Sequence, residues 1–214
     1  GLRISCNGVF CTEREGFFMD RDMQKIRLEG LRTGTNHLRL TGCYLQKMEL
    51  EDIYIIGDFG VSTERVITRE RKVLHFGDWC LQGYYHYPGS IVYHFSVPKP
   101  EFAGKRIVLR MGDYRGTLAK VCINGKPAGA LIGKAYDRLE IGKYLTAQEN
   151  TLDIEIVGSP RNMMGPFHQS YTGCSRISWA DFRTEGRFHC DGYVLEPYGL
   201  MGQITVLEEE ENDC

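Results

Sequence analysis

Four stretches of this 214-residue chain gather side chains that could recognise a ligand. "DWCLQGYYHYPGS" carries Trp79, Tyr84, Tyr85, His86 and Tyr87 beside Gly83 and Gly89. "MGDYRGT" sets Asp113, Tyr114 and Arg115 where a loop is expected. "SPRNMMGPFHQ" and the nearby "RISWADFRTEGRFHCDG" supply Arg161, Asn162, Phe167 and His168, then Trp179, Asp181, Phe182 and Arg183. This chemistry suits carbohydrate. An aromatic face takes the apolar side of a pyranose ring, and planar polar groups take its hydroxyls. The candidate carbohydrate-binding residues are therefore Trp79, Tyr84, Tyr87, Asp113, Arg115, Arg161, Asn162, His168 and Trp179. Each has a plainer alternative. Tyrosines favour strands and could pack on a sheet face. Asp113 and Arg115 could form a surface ion pair of little energetic value. Met163, Met164 and Phe167 could plug one end of the fold, with Arg161 pairing an acid, or could dock a neighbouring domain.

Other chemistries lack their residues. There is no G-x-S-x-G elbow, P-loop or G-x-G-x-x-G after a strand, and a carboxylate dyad cannot be picked out at this composition. His75, His86, His94, His168 and His189 form no HExxH or HxH pair, so no catalytic residue and no metal ligand is named. The eight cysteines form no CxxC and read as buried free thiols, which leans towards a reducing, cytoplasmic setting. A net charge of −2 without a basic face argues against nucleic acid, and no apolar run approaches a membrane span. The chain opens on Gly1 without a charged and apolar leader, as expected of a piece cut from a longer protein.

The elements that must position these residues read as strands. Apolar residues alternate in "SIVYHFSV", "KRIVLRM" and "NTLDIEIVG", with similar runs in "QKIRLEG", "NHLRLTG", "EDIYIIG", "YVLEP" and "GQITVLE". Glycines punctuate the runs, and "IGKYLTAQEN" offers one helical turn at most. The class is all-β, antiparallel, most simply a two-sheet sandwich. The chain also repeats itself. Asn7-Gly8 matches Asn124-Gly125, Asp20 matches Asp137, and Asn36 matches Asn150. "MELEDIYIIGDFGV" loosely matches "YVLEPYGLMGQITV". Strands precede the second copy and not the first. Residues 1–62 are therefore expected to be the C-terminal half of a truncated sandwich, residues 63–207 a complete one, and residues 208–214 an acidic disordered tail.

The segments "GSIVYHFSV", "KRIVLRMGDY" and "KVCINGKPAGALIGKAYDRLEIGKYLTAQENTLDIEIVGS" resemble the galactose-binding-domain-like jelly roll. More narrowly, they resemble the sugar-binding β-sandwich of family 2-type glycoside hydrolases. The resemblance covers roughly 79–207 well and 3–62 in part. It implies a non-catalytic accessory module that binds carbohydrate or braces a separate catalytic domain of the parent chain. It also allows a structural calcium ion, for which no ligands are named and no cofactor is otherwise expected. The alternative is a purely structural interaction sandwich without a ligand, since this fold serves both ends.

Overall fold

A computed structural model describes residues 2–46, 51–98, 105–133, 137–170 and 177–210. The chain divides into two compact units, Gly1–Ile56 and Gly57–Cys214. Its described residues are strands and loops, with no helical segment longer than four residues. The class is all-β with antiparallel sheets.

In the first unit, β1 (Arg3–Cys6) and β2 (Val9–Cys11) form a hairpin, and β3 (Arg14–Phe18) pairs with β4 (Asp20–Ile26). A fifth strand, β5 (Leu38–Thr41), lies on the other side of β1, giving the order β2-β1-β5. The hairpin turns on Asn7 and Gly8, whose φ values are 50° and 87°. Two positive φ values make the tight turn that matches strand twist, and Asn-Gly tolerates both. "EDIYIIG" alternates as a strand would but joins no ladder among the described residues, and Ile53, Ile55 and Ile56 stay exposed. Alternation alone cannot make a strand without an edge to pair with. The Met48–Leu50 start of the repeat segment "MELEDIYIIGDFGV" lies outside the described residues.

The second unit opens with the short pair β6 (Gly60–Val61) and β7 (Ile67–Thr68). Its strands continue as β8 (Ser90–Pro98), β9 (Arg106–Arg110), β10 (Tyr114–Arg115), β11 (Leu118–Ile123) and β12 (Lys126–Leu131). They finish with β13 (Arg138–Glu140), β14 (Glu149–Val157), β15 (Gly199–Leu200) and β16 (Thr205–Glu209). One sheet has the order β12-β11-β14-β8 and the other β13-β9-β16. Residues of both sheets share one core, as in a sandwich.

The alternation of β14 shows how sequence sets this packing. Leu152, Ile154 and Ile156 are each 0% exposed, against Val121, Ile123 and Leu109 of the same core. Full burial of each contributes about 1.5–3 kcal/mol. The intervening Asp153 meets His94 Nδ1 at 2.7 Å, and Glu155 accepts from Lys120 Nζ at 3.2 Å. A one-residue slip would bury those charges.

The sequence repeat is also a repeat of hydrogen bonds. Asn124, at φ 50°, donates through Nδ2 to Asn150 Oδ1 at 2.8 Å and accepts from Thr151 N at 3.1 Å. Asn7, also at φ 50°, donates to Asn36 Oδ1 at 2.8 Å and accepts from His37 N at 2.9 Å. Each Asn thus ties its hairpin to the strand that follows the second Asn. The paired Asp residues differ: Asp20 accepts from Asp22 N, whereas Asp137 pairs with Arg110.

Two strand ends depart from expectation. "YVLEP" is extended but joins no ladder; only Gly199–Leu200 beyond it pairs, with β10. The final strand runs through Glu209, past the expected start of the tail at 208. The ladder with β9 carries it there, pairing Glu208 with Ile107 and Glu209 with Arg106, and Lys105 and Arg138 meet the two carboxylates. Residues 211–214 lie outside the described residues.

Candidate functional site

Between β14 and β15 the chain makes one long excursion. It leaves at Gly158, where a Cβ would lie 2.5 Å from the Gly89 carbonyl oxygen and 3.1 Å from the Trp79 ring, so the close approach of these segments requires glycine. Ser159 Oγ meets Tyr198 OH at 2.5 Å, closing the base of the excursion. One helical turn, α1 (Arg161–Met164), follows Pro160, whose fixed φ suits a helix start.

Asn162 is the clamp of this base and is 0% exposed. Its Nδ2 donates to Glu196 O at 2.7 Å and its Oδ1 accepts from Glu196 N at 2.9 Å. The side chain therefore does for "YVLEP" what a neighbouring strand would do. The Asn162 carbonyl accepts from His86 Nδ1 at 2.6 Å. Its Nδ2 also lies 3.2 Å from Cys80 Sγ. Burial, with the nearby Asp78 charge, pushes the Cys80 thiol up to about 12, so it is an inert protonated group at neutral pH.

Beyond α1 the two halves of the excursion pair with each other. Val194 N donates to Phe167 O at 2.7 Å, Cys190 N to His168 O at 3.0 Å, and Ser170 N to Phe188 O at 2.7 Å. Gln169 and His189 form an antiparallel bridge, and Gln169 Nε2 reaches Asp181 O at 2.7 Å. Phe167 stacks on Tyr193 at 4.8 Å, with His86 and His168 edge-on and the Arg65 guanidinium 4.6 Å from the Tyr193 ring centre. The pairing makes a half-buried aromatic cluster from residues far apart in sequence.

The outer part of the excursion presents Trp179 on a short 3₁₀ turn, Trp179–Phe182. Ser178 N and Oγ both donate to Asp181 Oδ2, at 2.7 and 3.0 Å, which fixes the start of that turn. Trp179 is 73% exposed, and the Arg183 guanidinium lies 4.3 Å from its ring centre. Ile177, Phe182 and Phe188 are exposed beside it in sequence.

The nine candidates separate into four settings. Trp79 is 0% exposed, stacked on Tyr198 at 5.6 Å with Tyr87 edge-on, so it cannot serve as a stacking face. Tyr84 and Tyr87 are half-buried, and their hydroxyls are spent on Arg71 O and Ser90 O. Burial, and then Glu70, raises the Tyr84 phenol above its ordinary value. Asn162 is structural, and Arg161 neither pairs an acid among the described residues nor faces solvent through Nη1, which is buried without a partner. Tyr84, Tyr87 and Asn162 fail as ligand groups for one reason: their polar atoms already satisfy the fold.

His168 joins the aromatic cluster, with Nδ1 3.0 Å from Cys190 O. Asp113 and Arg115 stand 3.8 Å apart, both half-exposed, in a groove that holds none of the other candidates. Trp179 alone among the candidate aromatics is exposed. Arg183, Arg65 and Tyr193 complete these surfaces; the sequence places Arg183 in a ligand-like stretch without making it a candidate, and Arg65 and Tyr193 escape that reading altogether. Arg183 had a signal, lying four residues after Trp179; Arg65 and Tyr193 had none, being 128 positions apart.

Among the described residues, no group of three His, Cys, Asp or Glu could hold a metal, and no helix is long and apolar enough to cross a membrane. The described cysteines Cys6, Cys11, Cys43, Cys80, Cys122 and Cys190 are free thiols; Cys174 and Cys214 lie outside the described residues.

No family model and no curated protein matches the sequence. Solved structures similar to parts of the chain are glycoside hydrolases. A rhamnosidase from Novosphingobium sp. PP1Y is 27% identical over 59% of this chain and 12% of its own, with a TM-score of 0.42. A β-glucuronidase from Bifidobacterium dentium is 27% identical over 38% of this chain and 14% of its own, with a TM-score of 0.34. A β-D-glucuronidase from Dictyoglomus thermophilum is 21% identical over 63% of this chain and 22% of its own, at 0.39. The match spans less than a quarter of each of those enzymes, and at these scores it establishes no family.

Proposed function

We propose that this chain is a non-catalytic accessory module of a glycoside hydrolase-like protein, and that its second unit binds carbohydrate at Trp179. The exposed Trp179 beside Arg183 carries this reading. One face of the indole meets the guanidinium, and the other is a surface for a pyranose ring. The guanidinium edge supplies planar donors for ring hydroxyls. The resemblance of the 79–207 sequence to sugar-binding sandwiches supports the substrate class. A single platform gives weak affinity, in the millimolar range or about −4 kcal/mol.

The test uses the chain's two tryptophans, Trp79 buried and Trp179 exposed. A panel of neutral and acidic mono- and oligosaccharides is titrated while indole fluorescence is read. A binder should quench only the exposed population. Read by titration calorimetry, since the substitution removes the reporting indole, Trp179→Ala should abolish binding while leaving the melting temperature unchanged, and Arg183→Ala should weaken it. No change with any sugar at millimolar concentration would defeat the reading.

The second reading is bracing. Ile177, Trp179, Phe182 and Phe188 expose apolar surface on one excursion, which also suits contact with a separate catalytic domain. Under that reading Trp179→Ala weakens co-purification of the two domains and no sugar quenches Trp179.

A further inference from the structure

The two copies of the repeat can be laid on one another strand by strand. Asn7 and Asn36 occupy the places of Asn124 and Asn150, so β1 corresponds to β11 and β5 to β14. In the hairpin registers Cys6 pairs with Leu38, and Ile123 with Leu152. Leu38 and Leu40 therefore stand where Leu152 and Ile154 stand in the second copy.

The correspondence fails at one side. β14 pairs with β11 on one edge and with β8 on the other. β5 pairs with β1 on one edge, and among the described residues nothing pairs with the other. Leu152 and Ile154 are 0% exposed, whereas Leu38 is 37% and Leu40 is 40% exposed. Asn150 shows the same gap from the polar side. Its Nδ2 donates to Val97 O of β8 at 3.3 Å, while Asn36 Nδ2 turns back to the loop carbonyls of Arg32 and Gly34. Leaving core positions of a sheet in water costs the burial that holds a sheet together, and an open edge is a template for another strand.

We propose that β5 is an interior strand of a second sandwich completed by polypeptide ahead of β1 in the full-length protein: a β8-like antiparallel strand takes its free edge, and a β9-like strand of the facing sheet covers its apolar face. The position follows from the repeat. In the second copy, β8 and β9 precede the Asn-Gly hairpin, so their counterparts precede it in the first. The register defines the occupant's chemistry. Leu152 faces Phe95, Ile154 faces Tyr93, and Asp153 faces His94. The covering strand thus carries apolar residues opposite Leu38 and Leu40. Opposite Arg39, which replaces Asp153, it carries an acid, so a cross-strand polar pair is kept at that position. The inference does not depend on carbohydrate binding.

The experiment compares this chain with the same chain extended upstream in its reading frame through the span matching Ser90–Thr117. Hydrogen exchange is read at the β5 amides. In the 214-residue chain the β5 amides that face away from β1 should exchange freely; in the extended chain those same amides should be protected by roughly 100-fold or more. Leu40→Asp should lower the melting temperature of the extended chain and leave that of the shorter one unchanged. Equal exchange at β5 in the two proteins would overturn the proposal. So would protection of β5 in the shorter chain that grows with protein concentration, because a second copy would then be the occupant.

Discussion

Asn162 is fully buried and exchanges two hydrogen bonds with the backbone of Glu196. Asn162→Ala would leave that buried amide and carbonyl unpaired, so it should destabilise the second unit by about 2–3 kcal/mol in a urea melt. Asn162→Asp should also destabilise, because the acid loses the donor that reaches Glu196 O. Trp179→Ala is the contrasting case, expected to change ligand binding and not the melt. The residue type was legible for both: an aromatic or amide in a loop is a fair ligand group. Their difference was not, because burial of Asn162 depends on "YVLEP" passing beside it, 34 residues later.

At the scale of elements, the Asn-Gly hairpins are the most legible feature, since a two-residue turn with positive φ needs few other side chains. Asn124 adds a tertiary bond through Asn150, which is 1% exposed. Asn124→Ala should therefore cost the second unit about 2 kcal/mol through turn strain and the lost bonds. Its effect should be read as faster exchange of the β11 and β12 amides. "EDIYIIG" and "YVLEP" alternate as convincingly as "NTLDIEIVG", yet only the last is a strand with two neighbours. Pairing partners decide this, and a local pattern does not contain them. The end of β16 teaches the same point: its glutamates read as a tail until β9 pairs with them and Arg138 and Lys105 meet their carboxylates.

At the scale of the whole molecule, the second unit buries groups that would ionise in alkali. Cys80 is pushed up to about 12 by burial, and Tyr93 and Tyr198 are raised, also chiefly by burial. When unfolded, the thiol releases its proton near 9 and the phenols near 10, while the folded groups hold theirs. The unfolded state then binds fewer protons, so stability falls as pH rises. It should be constant below the unfolded thiol's value and decline from there towards about 12. Melting temperatures at rising alkaline pH check this, and Tyr93→Phe should flatten the decline.

By itself the sequence determined the all-β class, the repeat and the two hairpin turns, because period-two alternation and Asn-Gly chemistry act over a few residues. It also confined the ligand-like residues to four stretches. The tertiary structure alone decided which of them remain available: it buried Trp79 between Tyr198 and Tyr87, used Asn162 as a substitute strand, and left Trp179 in water beside Arg183. It also showed the Leu38 and Leu40 positions of the first copy uncovered where Leu152 and Ile154 are sealed. Exposure is a sum over neighbours distant in the chain, and no local pattern carries that sum.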